Sequence, residues 1–191
     1  GTIEPDKGNI FFENDNIKKL DVAARCRKGI ARSFQIPQPF SGMTVLENAL
    51  VSATQGANIS IGNAENHCID ILELTGLLRK ANTLAGELTL LERKRLELAK
   101  ALATKPKILL LDEIAGGLTE QECQVLIKVI LNIMRENISI IWIEHVVHAL
   151  LSVVQRLLVL DFGTKVADGN PSEIMKSKTV QKIYLGLDAD G

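Results

Sequence analysis

The stretch from Thr89 to Thr119, TLLERKRLELAKALATKPKILLLDEIAGGLT, decides the fold of this chain. Thr89 and the glutamate three residues later form a capping box, so a helix is predicted to begin at Leu90. Proline cannot occupy a helix interior, so the helix stops at Pro106 or just before it. The apolar residues 108–111 are too few to span a membrane and favour a strand buried on both faces of a parallel sheet.

The predicted helix has an apolar face, while its cations are expected to point elsewhere. The apolar residues are Leu91, Leu98, Ala99 and Leu102. The cations are Arg93, Lys94 and Lys100.

Two carboxylates, Asp112 and Glu113, follow directly after the predicted strand. Open α/β sheets bind ligands at the carboxyl ends of their strands. Burying a charge is costly unless it is paired or binds a metal, so adjacent acids at this position indicate a binding site. The alternative is that both side chains simply reach solvent in the loop, and this short stretch alone does not decide between the two.

Composition limits the classes of function. A chain of 191 residues with 46% hydrophobic content can bury a core of ordinary size, as one domain or a domain plus a small lobe. A net charge of −1 and an aromatic content of 4% argue against a nucleic-acid-binding surface. The three cysteines are widely spaced without a metal-binding pattern, which favours reduced thiols. No apolar run approaches the roughly 20 residues that a membrane span needs, and no signal peptide is visible.

Two more polar residues follow predicted strands. A strand at 29–35 delivers Gln35 to a loop with two prolines, and a strand at 138–143, expected to be buried, ends in Glu144 and His145. On their own, a lone glutamine is usually a surface residue and a lone histidine usually a structural one. Helices are predicted at 21–28, 44–55, 64–75 and 119–135. Those that begin at Thr44 and Thr119 carry capping boxes with Glu47 and Glu122, and the last has an apolar stripe that includes Val125. A third strand at 156–161 precedes a tight turn and a short helix capped by Asn170.

These segments together resemble the ATP-binding-cassette (ABC) ATPases, and the wording ERKRLELAKALATKPKILLLDEIAGGL is most similar to their branched-chain amino acid importer subgroup. The resemblance covers nearly the whole chain. It implies an α/β fold of the P-loop NTPase type, with a mainly parallel sheet flanked by helices. The implied ATPase core comprises residues 1–35 and 88–191, and a small helical subdomain comprises residues 36–87. A plain helical insertion is the alternative for the latter.

The resemblance also implies roles for particular residues, with ATP and Mg²⁺ as cofactors. Asp112 would hold Mg²⁺, and Glu113 would polarise the attacking water. Gln35 would contact both the metal and that water, and His145 would contact the γ-phosphate. The family signature corresponds to Thr89, Leu90, Leu91 and Glu92, which would face a nucleotide held by a second ATPase subunit.

No G-x-x-x-x-G-K-[ST] motif occurs in the 191 residues, although the family uses this Walker A loop to hold phosphates. We therefore expect a fragment that lacks about one N-terminal supersecondary unit and is inactive as it stands, with a complete carboxyl end. A protein that never had the loop is the alternative. For the intact subunit the resemblance implies a homo- or heterodimer at the inner face of the cell membrane. Permease subunits would contact the helical subdomain and the Gln35 loop, an extracytoplasmic solute-binding protein would act indirectly, and no nucleic acid is expected.

The signature departs from the usual Leu-Ser-Gly-Gly-Gln, because Leu90 and Leu91 replace two glycines that let phosphate approach the backbone. Two rival functions remain. A DNA-maintenance ATPase of the same superfamily would carry a long coiled coil, whereas residues 36–87 number only 52 (87 − 35). A catalytically degenerate interaction or regulatory module would fit the altered signature and the missing phosphate loop.

Overall fold

The computed structural model describes residues 1–185, which form two compact units. The first runs from Gly1 to Val146, and the second begins at Val147. The predicted division into an ATPase core and a helical subdomain at residues 36–87 stays a prediction. The expectation about the carboxyl end concerns residues that lie outside the described part of the chain. No helix among the described residues combines the length and the apolar character that crossing a membrane requires.

The first unit is built on a parallel three-stranded sheet. Its strands are β3 (Ile30–Arg32), β4 (Ile108–Asp112) and β5 (Ser139–Ile143), in the order β3-β4-β5. A small hairpin, β1 (Phe11–Phe12) and β2 (Asp15–Asn16), precedes them. The three strands run in one direction, so their carboxyl ends, where Gln35, Asp112 and His145 follow, lie at the same edge of the sheet.

Helices connect the strands and bury their apolar faces. In chain order they are α1 (Val22–Arg27), α2 (Val45–Gly56), α3 (Ile61–Leu74), α4 (Leu90–Ala103) and α5 (Glu120–Met134). The three predicted capping boxes are confirmed at the starts of α2, α4 and α5. One apolar cluster joins α2, α3 and α4 and the segments between them: Val45, Ala49, Ala53, Ala64, Cys68, Leu72, Leu77, Ala85, Leu88, Leu96, Ala99 and Ala103. The three cysteines are free, as expected, and burial raises the pKa of Cys68 to about 11.

Three packing expectations were wrong. Lys94 does not point into solvent but is buried, because it lies on the same side of α4 as other buried residues. Ile141 and Ile143 are exposed in a strand predicted to be buried, since β5 pairs only with β4 among the described residues and one face of it is uncovered. Val125 lies off the buried stripe of α5 and is exposed.

The second unit contains α6 (Val147–Leu151), β6 (Leu157–Asp161), β7 (Thr164–Gly169), α7 (Pro171–Ile174) and α8 (Lys178–Leu185). The strands β6 and β7 form an antiparallel hairpin through Phe162 and Gly163. Both turn residues have positive φ, as a tight two-residue hairpin turn requires. The predicted turn and the Asn170 cap are confirmed.

Candidate functional site

Three of the predicted site residues meet at one carboxylate oxygen. Gln35 Nε2 donates a hydrogen bond of 2.5 Å to Glu113 Oε2, and His145 Nδ1 lies 3.6 Å from the same oxygen. The three residues follow β3, β4 and β5, so the sheet edge itself brings them together. Asp112, the fourth predicted residue, ends β4 and is paired with Arg32, whose Nη2 lies 2.7 Å from Asp112 Oδ2.

The backbone turns sharply at Glu113. Its N–H continues the sheet by donating to Ile143 O at 2.9 Å, yet its φ is +45°, a left-handed conformation that is uncommon for a residue with a side chain. The chain then folds back, and Gly116 N donates to Glu113 O at 3.3 Å. A Cβ on Gly116 would lie 3.4 Å from that oxygen and 3.6 Å from His145 Cε1. Both distances are ordinary contacts, so the loop after β4 passes beside His145 with room for a Cβ at this position. Strained backbone of this kind is typical of functional sites.

The residue that sequence reasoning missed is Glu144, whose side chain is fully buried. Its Oε2 accepts hydrogen bonds from Ala115 N at 3.0 Å and Trp142 Nε1 at 3.3 Å. Its Oε1 accepts from the main-chain N–H groups of His145 at 3.0 Å and Val146 at 3.2 Å. One carboxylate therefore ties the loop after Glu113 to the loop that carries His145. Only its position at a strand end, beside His145, pointed to it.

Lys94 is a buried cation of α4 that feels the charges of this network. Burial lowers the pKa of Lys94, and the negative charges of Glu144 and Glu113 offset part of that effect. The carboxylates of Glu144 and Glu113 are thus held near a buried cation from α4. Lys94 is the second functional candidate that the sequence did not reveal, because helical periodicity assigned it to the solvent.

The predicted signature segment forms the start of α4. Thr89 Oγ1 accepts from Glu92 N at 3.3 Å, and Glu92 Oε2 accepts from Thr89 N at 2.9 Å, which lowers the pKa of Glu92. Leu90 is 43% exposed and lies beside Gly117, whereas Leu91 is half-buried. Within the described residues, no hydrogen bond or ion pair joins these residues to Gln35, Asp112, Glu113 or His145.

The residues at the strand ends can supply two oxygen ligands to a magnesium ion. No group of three or more His, Cys, Asp or Glu side chains within residues 1–185 could hold a metal. Asp112 offers a carboxylate, and Gln35 retains its carbonyl oxygen because it is the Nε2 that contacts Glu113. Magnesium takes six oxygen ligands and is commonly held by one or two protein groups plus waters and substrate phosphates. The donor set fits that arrangement.

Comparison with known proteins identifies the family. The family model described as "ABC transporter" matches residues 1–116. The chain belongs to the ABC transporter ATPase family. It is 32% identical to the high-affinity branched-chain amino acid transport ATP-binding protein LivG of Escherichia coli K12, across 97% of this chain and 79% of LivG. It is 28% identical to the lipopolysaccharide export system ATP-binding protein LptB of the same strain, across 98% of this chain and 78% of LptB.

Solved structures confirm the predicted fold class. The ADP conformation of MJ1267, an ATP-binding cassette of an ABC transporter, superimposes with a TM-score of 0.85 at 28% identity. The match covers 98% of this chain and 80% of MJ1267. The fold is therefore that of an α/β ABC ATPase, with a parallel sheet and flanking helices, and the chain is an ATP-binding subunit of the ABC transporter family.

Proposed function

We propose that this chain supplies the catalytic carboxylate and the signature helix of an ABC importer ATPase for branched-chain or related amino acids. The observation that carries the catalytic part is the position of Glu113 between Gln35 and His145 at the edge of the sheet. The solute class is supported by 32% identity with LivG across nearly the whole chain. Identity with LptB is 28%, so an export ATPase is the second candidate.

In this proposal Glu113 orients the attacking water and accepts its proton. Gln35 and His145 both approach Oε2, and no group in the described part of the chain donates to Oε1, so Oε1 is the oxygen that would receive the water. His145 is exposed and would also contact the γ-phosphate. Glu144 would fix the positions of the loops that carry His145 and Glu113 through the four N–H groups that it binds.

Asp112 and the carbonyl oxygen of Gln35 would hold Mg²⁺, which neutralises charge on the phosphate oxygens when it is bound. Arg32 now occupies one oxygen of Asp112, so metal binding would use the other oxygen or displace the guanidinium. Thr89, Leu90, Leu91 and Glu92 would face ATP on a second ATPase subunit, because the first turn of a helix directs free N–H groups at anions.

The proposed partners follow from these roles. Two ATPase subunits, of the same or different kinds, would close on two ATP molecules at the inner face of the membrane. Permease subunits would contact the helices between residues 36 and 87 together with loop 36–42. A solute-binding protein outside the membrane would act through the permease.

The catalytic part is tested by ATP hydrolysis. We expect no measurable turnover from the 191-residue chain, because it contains no G-x-x-x-x-G-K-[ST] sequence to bind the β- and γ-phosphates. A subunit extended at its amino end to include such a loop should hydrolyse ATP. In it, Glu113→Gln should trap ATP and stabilise the dimer, whereas Asp112→Asn should weaken Mg²⁺ binding. Glu136→Gln, at an exposed glutamate, is the control. Equal ATP affinity and equal dimer fractions for the two site variants would refute the assignment.

The solute class needs a separate measurement. The extended subunit would be purified together with the permease subunits that bind it and placed in vesicles. ATP-dependent uptake of leucine would support the importer. Extraction of lipopolysaccharide from the vesicles, without leucine uptake, would favour the export candidate and overturn the proposed solute class.

A further inference from the structure

Loop 36–42, which follows Gln35, is bound by two charged residues of α4, the buried Glu97 and the half-buried Lys100. The Glu97 side chain is only 4% exposed, and its Oε1 accepts a hydrogen bond from Gln38 N at 3.1 Å. Lys100 Nζ donates to Gln38 O at 3.0 Å and to Glu97 Oε1 at 2.8 Å. The main chain of Gln38 is therefore held at both its donor and its acceptor by one ion pair.

A second buried side chain binds the same loop from α2. Asn48 has no exposed surface, and its Oδ1 accepts from Phe40 N at 2.9 Å while its Nδ2 donates to Phe40 O at 3.1 Å. The Lys100 ammonium also lies 5.9 Å from the centre of the Phe40 ring. Two helices thus hold alternate residues of the loop by their main-chain groups.

The loop sequence explains why these contacts control its shape. Pro37 and Pro39 flank Gln38, and proline has a fixed φ and no N–H group. Gln38 therefore provides the single N–H among residues 37–39, and Glu97 binds it. Such a stiff segment passes a displacement of Gln38 on to Gln35, three residues away. Removing the Glu97 carboxylate from water costs free energy, and apolar packing between the loop and α4 would stabilise the fold equally well. The charged pair therefore indicates that the position of the loop matters.

We propose that Glu97 and Lys100 are positioning residues that clamp Gln38 to α4 and thereby set the Gln35 amide against Glu113. The clamp joins the loop that carries Gln35 to the helix that begins with the signature residues. The role of the clamp in catalysis rests on the proposed function, whereas the contacts that form the clamp belong to the 191-residue chain itself.

The test uses nitrogen-15 NMR on the 191-residue chain and follows the side-chain amide of Gln35 and the main-chain amide of Gln38. Glu113→Gln first assigns the Gln35 signals that depend on the bond to Glu113. Glu97→Gln and Lys100→Met should move those signals towards their positions in Glu113→Gln. Exchange of the Gln38 amide with solvent should rise about tenfold or more in Glu97→Ala, since hydrogen bonds to charged groups are the stronger ones. Lys100→Arg should retain the wild-type signals, because a guanidinium still donates to Gln38 O.

Arg93→Met is the matched control, because Arg93 also lies on α4 and donates two hydrogen bonds to main-chain carbonyls, those of Leu88 and Gly86. We expect it to reduce stability and leave the Gln35 signals unchanged. Gln35 signals that stay at their wild-type positions in Glu97→Gln and Lys100→Met would overturn the clamp, even if both variants are less stable. That result would leave the proposed function intact, because the effect of Glu113→Gln on ATP turnover is measured separately.

Discussion

Replacing Glu144 by alanine should strongly destabilise the first unit, although nothing in the sequence around Glu144 indicates a structural role. The change removes the acceptor for four N–H groups. His145 is exposed and Val146 half-buried, so water can reach two of these donors. Ala115 and Trp142 are buried, and their N–H groups would be left without a partner.

The magnitude follows from these two donors and from Lys94. Each unsatisfied buried donor costs about 1–3 kcal/mol. Lys94 would also lose the larger of the two negative charges that offset its burial. The two donors therefore set the expected loss of unfolding free energy for Glu144→Ala at about 2–6 kcal/mol, and loss of the negative charge near Lys94 acts in the same direction. Glu144→Gln keeps one carbonyl acceptor and should lose less. Glu136→Ala, at an exposed glutamate, should change it by less than about 0.5 kcal/mol.

Urea denaturation monitored by tryptophan fluorescence suits this prediction. Trp142 is the single tryptophan of the chain and donates to Glu144, so its emission reports on the first unit and on the mutated contact itself. The native emission of Glu144→Ala should also differ from wild type, because the indole N–H loses its acceptor. A loss below about 1 kcal/mol with unchanged native emission would refute the reasoning, since it would mean that the four N–H groups do not depend on this carboxylate.

Two further predictions concern the start of α4. In the extended subunit, Leu91→Gly should lower the melting temperature, because glycine costs about 1 kcal/mol in a helix and a half-buried side chain is lost. ATP turnover per folded dimer should nevertheless rise, because the backbone becomes accessible to phosphate. Unchanged turnover would mean that Leu91 is purely structural. The hydrogen bond from the Thr89 main chain lowers the pKa of Glu92 in the folded state. The contribution of Glu92 to the free energy of unfolding is therefore complete above its unfolded pKa of about 4.3, and it is lost as the pH falls through the lower pKa of the folded state. Glu92→Gln should therefore flatten the acid limb of stability in denaturation series, and an acid limb as steep as that of wild type would contradict this.

Much of the secondary structure was predictable because helix caps and turns depend on residues close together in the sequence. Each capping box lies within four residues, and α2, α4 and α5 begin where these boxes place them. The start of α3 was less accurate, since the helix begins at Ile61 although Ala64 was expected, and Ser60 provides no side-chain cap for it. Burial in β5 was misjudged because an apolar run does not show how many neighbours a strand has. The tight turn after β6 was predicted from its residues, whereas β7 was not predicted as a strand.

The sequence predicted only the part of the candidate site that the parallel sheet brings together. Parallel strands bring their carboxyl ends together, and so Gln35, Glu113 and His145 meet although they are distant in sequence. Their individual roles remain proposals. The structure also pairs Asp112 with Arg32, a contact between residues 80 positions apart that no local rule contains.

The residues that hold the site in place could not be found from one sequence, for a physical reason. Helical periodicity assigns charged residues to solvent, and that assignment fails when a partner arrives from elsewhere in the chain. Glu97 is buried because Gln38, 59 positions away, offers it an N–H group, and Glu144 because Ala115, 29 positions away, does the same. In both cases main-chain N–H donors offset the cost of burying the carboxylate, and Lys100 adds to this at Glu97. Such residues connect the loops of Gln35, Glu113 and His145 to α4 and β5, so the geometry of the candidate site depends on charges that the sequence alone would place on the surface.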